Sequence, residues 1–548
     1  MADISKYSVI DPRIVQQKPK YAVEKGAVSI TNGKFSAIAN SASQQTFQVQ
    51  VPSENVFVDR AVDWVCEASV LVTLTKSGAV SSGQPVVTPG VDFSLAPFPT
   101  TQSVSTMQAT INDQSLSINM ADVLPQVLRL ADLAKTRKQR TCPTMLDRYY
   151  NVEGTATYKN SSIGSYDSAY SNDEVPNGSW GDVEFYQVAG GGCTIAPSGL
   201  PVASSTTAGP FTFGVTWRTA EKLVLPPFIF ADEDELSTGL FGVQNMQFTM
   251  NFNAPGRSLR FSLDSIASEG VPQVSWDSTK GAASPFTLAQ IQVQFLTPSL
   301  DVPLPAKSIV SWMEFPRYIS PIQSVGPGAV QVSSQTITLP MIPDLLVLFV
   351  KPQSYSFAGS LDPTQSDWSL PISNISLSFD NFSGLLSNHS QYELYKMSVN
   401  NGLEMDWNEW SGLARGAGGA LVPLVGGPLV LRPGRDFQLS TGQAPGLIGN
   451  FTLQYNLTVE NNTPYTYDSS PPSSTKYGSG VSLYTVTANS GFFETIKGSS
   501  RILRGVVTEQ DILGAPVSEP VQSMERMVGE GKRSGKPTLK KGMQSYIR

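Results

Sequence analysis

Short runs rich in β-branched and aromatic residues recur along the whole chain: "VLVTLT", "FTFGVTW", "QFTMNF", "IQVQFL", "QTITL", "LLVLFV", "ISLSF", "FTLQYNLTV" and "VSLYTVT". Each is bounded by Gly, Pro, Asn, Asp or Ser, the residues that end strands and make turns. Several alternate in polarity, as where Ile375, Leu377 and Phe379 share one side and Ser376 and Ser378 the other, the pattern of a sheet covered on one face. Helical periodicity is scarce. It is clearest in "MADVLPQVLRLADLAKTRKQ", where Val123, Val127, Leu130 and Leu133 fall near one face and Pro125 is expected in the first turn, and again in "SQYELYKMSVNN". The expected fold is all-β with a few inserted helices.

The chain also repeats itself. "LSTGLFGVQNMQFTMNFN" from Leu236 and "LSTGQAPGLIGNFTLQYN" from Leu439 agree without a gap at Leu236/Leu439, Ser237/Ser440, Thr238/Thr441, Gly239/Gly442, Phe248/Phe451, Thr249/Thr452 and Asn253/Asn456. "LVLPPFIF" precedes the first and "LVLRPGRDF" the second; "AQIQVQFL" follows one and "VSLYTVT" the other. Upstream, "VLVTLT" leads into "INDQSLSINMADV" and "LLVLFV" into "ISNISLSFDN". The two phenylalanines, twelve residues into their copies, are expected at equivalent inward-facing strand positions. At 548 residues the chain exceeds one ordinary core, and two β units of this size account for it.

Prolines 298, 303 and 305 interrupt any ladder between the copies. The expected division is an N-terminal arm over 1–26, a first jelly roll over 27–298, a linker over 299–308, a second jelly roll over 309–508 and a tail over 509–548, basic from Arg526. Residues 160–209, rich in Gly, Ser and Asn, read as long exposed loops in the first unit. Paired sheets with Greek-key connections are jelly rolls, so the expected architecture is a double jelly roll.

Chemistry-bearing clusters are few, and no catalytic, cofactor-binding or metal-binding residue is assigned. His389 is the only histidine, which leaves no imidazole triad or multi-histidine metal centre without it. Asp232 to Glu235 form the densest acidic run, read as a solvated loop or helix start. Glu404, Asp406 and Glu409 beside Trp407 and Trp410 raise a sugar-cleaving cleft, against which packing tryptophans with polar neighbours is preferred. "RGAGGALVPLVGG" lacks the lysine and Ser/Thr of a phosphate loop and reads as a flexible loop. Cys66, Cys142 and Cys193 are odd in number and far apart, so buried free thiols are expected. The Asn-x-Ser/Thr sequences, Asn374 and Asn456 among them, are read as plain asparagines, since "MADISKYSVIDPRIVQQKPK" has no apolar run resembling a signal peptide. No stretch approaches the length of a transmembrane segment.

Charged residues make up 15% of the chain, against about 25% in ordinary soluble proteins, which suits a surface buried against other copies. From Val521 to Arg548 the seven basic residues Arg526, Lys532, Arg533, Lys536, Lys540, Lys541 and Arg548 stand against Glu525 and Glu530, a balance of +5. The chain as a whole carries −7, so the rest carries −12. A basic arm on an acidic body can reach nucleic acid or an acidic protein surface.

"VFVDRAVDWV", "TPGVDFSLAPFPTTQSVSTMQATIND", "LVLPPFIF", "IPDLLVLFVKP" and "GLIGNFTLQYNLTVENN" carry a resemblance over about Val56 to Leu513. The chain resembles the double jelly-roll major capsid proteins of virophages and polinton-like viruses. That resemblance implies a capsid protein without enzymatic activity, whose three copies form a pseudo-hexagonal capsomer that tiles an icosahedral virion beside separate pentons and minor capsid proteins. It also implies assembly inside the host cell, with termini near the shell's inner face, where the basic tail meets the genome. A carbohydrate- or receptor-binding β-sandwich surface protein, supported by Trp180, Trp407 and Trp410, is the alternative, and a β-sandwich glycosidase a third reading.

Overall fold

In a computed structural model, the described residues are 28–130, 182–228, 239–261, 270–298, 305–352, 369–415 and 421–504, apart from breaks of one to seven residues within them. The expectations for the arm, the tail from 509, the run Asp232 to Glu235, Trp180 and Cys142 lie outside them.

The first half contains β1 (Val28–Ser36), β2 (Gln44–Gln50), β3 (Asp63–Thr75), the helical turn α1 (Pro99–Gln102), β4 (Val104–Ile111), β5 (Gln114–Ile118), α2 (Met120–Leu128), β6 (Phe211–Lys222), β7 (Asn245–Phe252) and β8 (Phe286–Pro298). One sheet runs β1-β8-β3-β6 and the facing sheet β2-β7-β4-β5, all antiparallel. The second half contains β9 (Ser308–Glu314), β10 (Gly328–Ser333), β11 (Ile337–Met341), β12 (Leu345–Pro352), β13 (Ile372–Phe379), β14 (Phe382–Leu385), α3 (Gln391–Asn400), α4 (Trp407–Ser411), β15 (Leu429–Leu431), β16 (Ile448–Asn461), β17 (Val481–Ile496) and β18 (Ser499–Arg504). Its sheets run β9-β17-β12-β15 and β10/β11-β16-β13-β14. The two orders correspond strand for strand, so the chain is a double jelly roll.

The phenylalanines of the repeat fall on corresponding strands, β7 and β16. Val51 N donates to the Gln244 carbonyl (3.1 Å) and Ile342 N to the Leu447 carbonyl (3.0 Å), and four residues on from these carbonyls stand Phe248 and Phe451, both buried. Phe248 lies opposite Phe47 and Phe451 opposite Leu339. The upstream match is corrected by one strand. "QSLSI" is β5, whereas "ISLSF" belongs to β13, whose counterpart is β4; non-equivalent strands of the two corresponding sheets alternate inward and outward alike and so produce the same letters.

Cross-sheet packing fills each sandwich. In the first, Trp64 Nε1 donates to Gln45 Oε1 (3.2 Å), so the even-numbered residues of β3 line the core; the odd face carries hydroxyl pairs, Ser69 to Thr216 (2.9 Å) and Thr73 to Thr212 (2.9 Å). In the second, Tyr455 and Thr485 hydroxyls meet across the core at 2.6 Å, and because Thr485 lies opposite Leu348, the even residues of β12 face inward. On the odd face stand Val347 and Phe349, also buried, the latter stacked on Tyr484 with ring centroids 5.1 Å apart.

Several local expectations change. Pro125 is the sixth residue of α2, inside the helix; the burial of Val123 and Leu124 outweighs the one backbone bond a proline cannot donate. Residues 182–209 are not loose loop: "DVEFYQ" forms a strand paired with β6, its Phe185 packs on Phe213 (5.8 Å), and Cys193–Ile195 pairs with Pro201–Ala203. In the glycine-rich segment, Leu413–Arg415 and Leu421–Pro423 pair as an antiparallel ribbon. The helix expected at "SQYELYKMSVNN" is α3, with Ser390 and Glu393 forming a capping box.

Phe248→Ala and Phe451→Ala each leave a cavity between sheets and are expected to cost about 3–5 kcal/mol. The fall in denaturant midpoint, measured for each variant by tryptophan fluorescence, checks that both positions are core.

Candidate functional site: the seam between the two halves

For a chain with no assigned catalytic residue, the constructed site is the surface joining one jelly roll to the other. Four segments of the first half make it. The β4–β5 turn supplies Asn112, in the left-handed region at φ 54°, and Asp113. Asp113 accepts from Ser500 N (2.7 Å) and Ser499 Oγ (3.2 Å), and Asn112 Nδ2 donates to Ser500 Oγ (2.9 Å) and to the Gly242 carbonyl (3.3 Å). The segment before β7 offers carbonyls: Gly239 to Ser308 Oγ (3.1 Å), Phe241 to Thr495 Oγ1 and Gly242 to Gly498 N (2.8 Å). Gly242 has φ 79°, and a Cβ there would stand 2.7 Å from Lys497 N, so the β17–β18 turn seats against a position that only glycine fills without strain.

Helix α2 adds the third segment. Its Asp122 pairs with Arg317 and, at 3.6 Å, with Lys351, which lies on the same face of β12 as Phe349. Beyond the helix, the Arg129 carbonyl accepts from Glu404 N (2.9 Å) and its Nη1 reaches Met405 Sδ (3.3 Å). The apolar odd face of β12 is therefore turned toward the first half, and one contiguous hydrophobic cluster includes residues of both halves. Around the seam, bonds from Lys307, then from Arg501, hold the buried Glu494 carboxyl below the usual carboxylate range. The Ser500 backbone bond does the same for Asp113.

The residues weighed in the sequence go elsewhere. Asp406 and Glu409 form a capping box at the start of α4, Trp410 is fully buried and stacks on Trp407 (6.0 Å), and Tyr395 and Tyr392 complete that cluster. Glu404 lies on the seam through its backbone. His389 stands one residue before the α3 cap. Cys66 is buried, and burial pushes its thiol far up; burial brings Cys193 to about 11. Among the described residues no group of three or more His, Cys, Asp or Glu is placed to hold a metal, and no helix is long and apolar enough to cross a membrane. The seam residues themselves, Asn112, Asp113, Asp122 and Gly242, escape a search for chemistry because they form no cluster of catalytic or metal-ligating type in the sequence. Of these only Asn112 and Asp113 carry a signal in the sequence, the turn "IND" that corresponds to "FDN".

The family model for the first domain of the Sputnik virophage major capsid protein matches residues 2–296, and the model for the C-terminal domain of the major capsid protein V20 matches residues 315–491. The chain belongs to the virophage major capsid protein family. A putative capsid protein V20 of Sputnik virophage is 26% identical, over 95% of this chain and 84% of that protein. A chain of the Sputnik virophage cryo-EM structure aligns with TM-score 0.74 at 24% identity, covering 96% of this chain and 98% of its own. The mavirus major capsid protein aligns with TM-score 0.62 at 12% identity, covering 93% and 97%. The protein is thus a capsid-forming, structural component of a virion, and the seam is the contact that makes its two jelly rolls one building block.

Two outcomes follow for the seam. Gly242→Val is expected to destabilise the protein by about 1–3 kcal/mol through backbone strain, before any clash is counted. Acid weakens the seam as well: folded Asp113 titrates below its ordinary value, so its contribution is present above the ordinary aspartate value of about 3.9 and is lost as pH falls through the lower folded value. The melting-temperature gap between wild type and Asp113→Asn should accordingly be widest at neutral pH and close in strong acid.

Proposed function

We propose that three copies of this chain close into a ring whose six jelly rolls make a pseudo-hexagonal capsomer, and that these capsomers tile an icosahedral shell with separate pentons. The observation that carries this reading is the correspondence of the two halves, strand for strand, in one covalently joined and tightly seamed chain. Head-to-tail contacts generate closed rings when the rotation closes, and a subunit with two similar units gives a threefold ring a sixfold outline. The units are residues 27–298 and 309–508, joined by 299–308.

Function by assembly rather than catalysis fits the small number of ionisable clusters and the use of the paired acids as helix caps. Minor capsid proteins and the genome are the further partners proposed. The +5 tail from Val521 to Arg548 on a body of −12 suits contact with packaged nucleic acid from inside a shell assembled in the host cell.

Light scattering of the purified chain should give a trimer, and negative-stain images a hexagonal outline; a monomer at all concentrations would sink the ring. For the tail, full-length protein should bind nucleic acid more tightly than a chain ended at Gln522, with affinity falling about a thousandfold between 50 and 200 mM salt if some seven phosphates are neutralised. Equal binding by the two chains would remove the tail from that role.

A further inference from the structure

The two jelly rolls share a strand order but not a fate for their edges. In the second half, the ends of β9 and β17 nearest the seam, with the turn into β18, are covered: Ser308, Thr495 and Ser500 are buried against the first half. The corresponding ends in the first half are the start of β1 and the end of β8, paired from Val28↔Pro298 onward. There Ser29, Thr31, Asn32 and Thr297 are exposed and Ile30 is 62% exposed. A two-stranded ribbon is thus bare in one half and seated in the other.

The receiving surface shows the reverse asymmetry. In the first half it is the turn at Asn112 together with Leu240 and Phe241, which are almost fully buried under the second half. In the second half the corresponding turn is at Asp380, again left-handed at φ 50°, with Asn381 exposed beside it. This turn also stops earlier along its neighbour. Ile111, the last residue before the first turn, lies opposite Met246, the second residue of β7, whereas Phe379 lies opposite Leu453, the sixth residue of β16. Among the described residues the first stretch of β16 therefore has no strand partner on that side, and there Ile448 is 58% exposed. The helices repeat the contrast: α2 is packed under the second half through Asp122, while α3 leaves Tyr392 at 51% and Val399 at 40% exposed.

We propose that the bare ribbon of the first half, centred on Ile30, docks on the Asp380–Asn381 turn and the open start of β16, centred on Ile448, of a second copy of this chain. The contact between chains repeats the seam within each chain, bare donor ribbon against bare acceptor turn. The ribbon from Ser29 to Asn32 carries no charge, and the one carboxylate of the acceptor turn, Asp380, already accepts from Gln443 Nε2 (3.2 Å), so their union desolvates a single, partnered ion. The proposal rests on the ring reading and names the surface that closes it.

The test uses the full-length chain. Ile30→Asp and Ile448→Asp each place a charge in the contact while altering a side chain that is exposed in the single chain. Each is expected to raise the concentration at which the trimer dissociates at least tenfold, with the melting temperature of the separated chain unchanged. Ile30→Lys combined with Ile448→Asp should recover the trimer that Ile448→Asp loses. In a Cys142→Ser background, Ile30→Cys with Ile448→Cys should cross-link chains under oxidation, and neither single cysteine should. Aspartate variants that stay trimeric, or cysteines that join only within one chain, overturn this surface and leave the ring standing. Ile30→Asp that lowers thermal stability without changing assembly shows the ribbon covered by residues 1–26 of its own chain, which also overturns it. A wild-type chain that never trimerises overturns the ring itself.

Discussion

A strand apolar on both faces cannot belong to a free-standing sandwich. β12 is such a strand: Leu346, Leu348 and Val350 fill the core of the second jelly roll, while Val347 and Phe349 are equally buried on the opposite face, beside Lys351 and its partner Asp122 from the first half. Exposing that outer face would return several large apolar side chains to water, at about 25 cal/mol per Å² of surface. The outer face of β3 is less apolar: it carries the paired hydroxyls of Ser69 and Thr73 beside Val65. The second jelly roll therefore depends on the first, and the direction of that dependence sets the shape of the whole building block.

Much of this was legible in the letters. In "VLVTLT" Thr73 and Thr75 interrupt the apolar run, whereas "LLVLFV" is apolar throughout, and that difference separates an outer face that carries hydroxyls from one that is apolar. The repeat placed Phe248 and Phe451 on corresponding strands because it spans the entry to those strands, where the backbone geometry is shared. It failed for "SLSI" and "SLSF" because a period of two carries no information about which strand of a sheet is being read. "DVEFYQ" was lost inside a polar stretch: six residues of alternation are too few to outweigh their surroundings, and the β6 edge that pairs with them is distant in sequence.

The site was less legible than the fold. A search for function in a sequence looks for groups that ionise, ligate or attack, and here those groups serve local structure. Glu409 and Asp406 satisfy the amides at a helix start, Glu393 does the same for α3, and the tryptophans beside them pack. Seam residues are ordinary by type. Asn112 matters because its left-handed backbone turns a side-chain amide toward Ser500, and Gly242 because nothing larger fits under Lys497; neither fact is visible until the second half is in place.

The chemistry of the seam also explains the composition. Apart from the Asp122 pairs and the Asp113 carboxylate, which accepts from Ser499 and Ser500, its cross-links join neutral groups: Ser308, Thr495 and Gly498 donate to carbonyls and Asn112 to the Ser500 hydroxyl. Hydrogen bonds between neutral groups carry a small desolvation cost, whereas a buried ion pair recovers its desolvation only in favourable geometry. They are also indifferent to ionic strength, while exposed ion pairs weaken once the Debye length shrinks to about 10 Å or less. A chain whose exterior is largely contact surface can thus hold with serine, threonine and asparagine what a free protein would leave charged for solubility. The 15% charged content suits such an exterior.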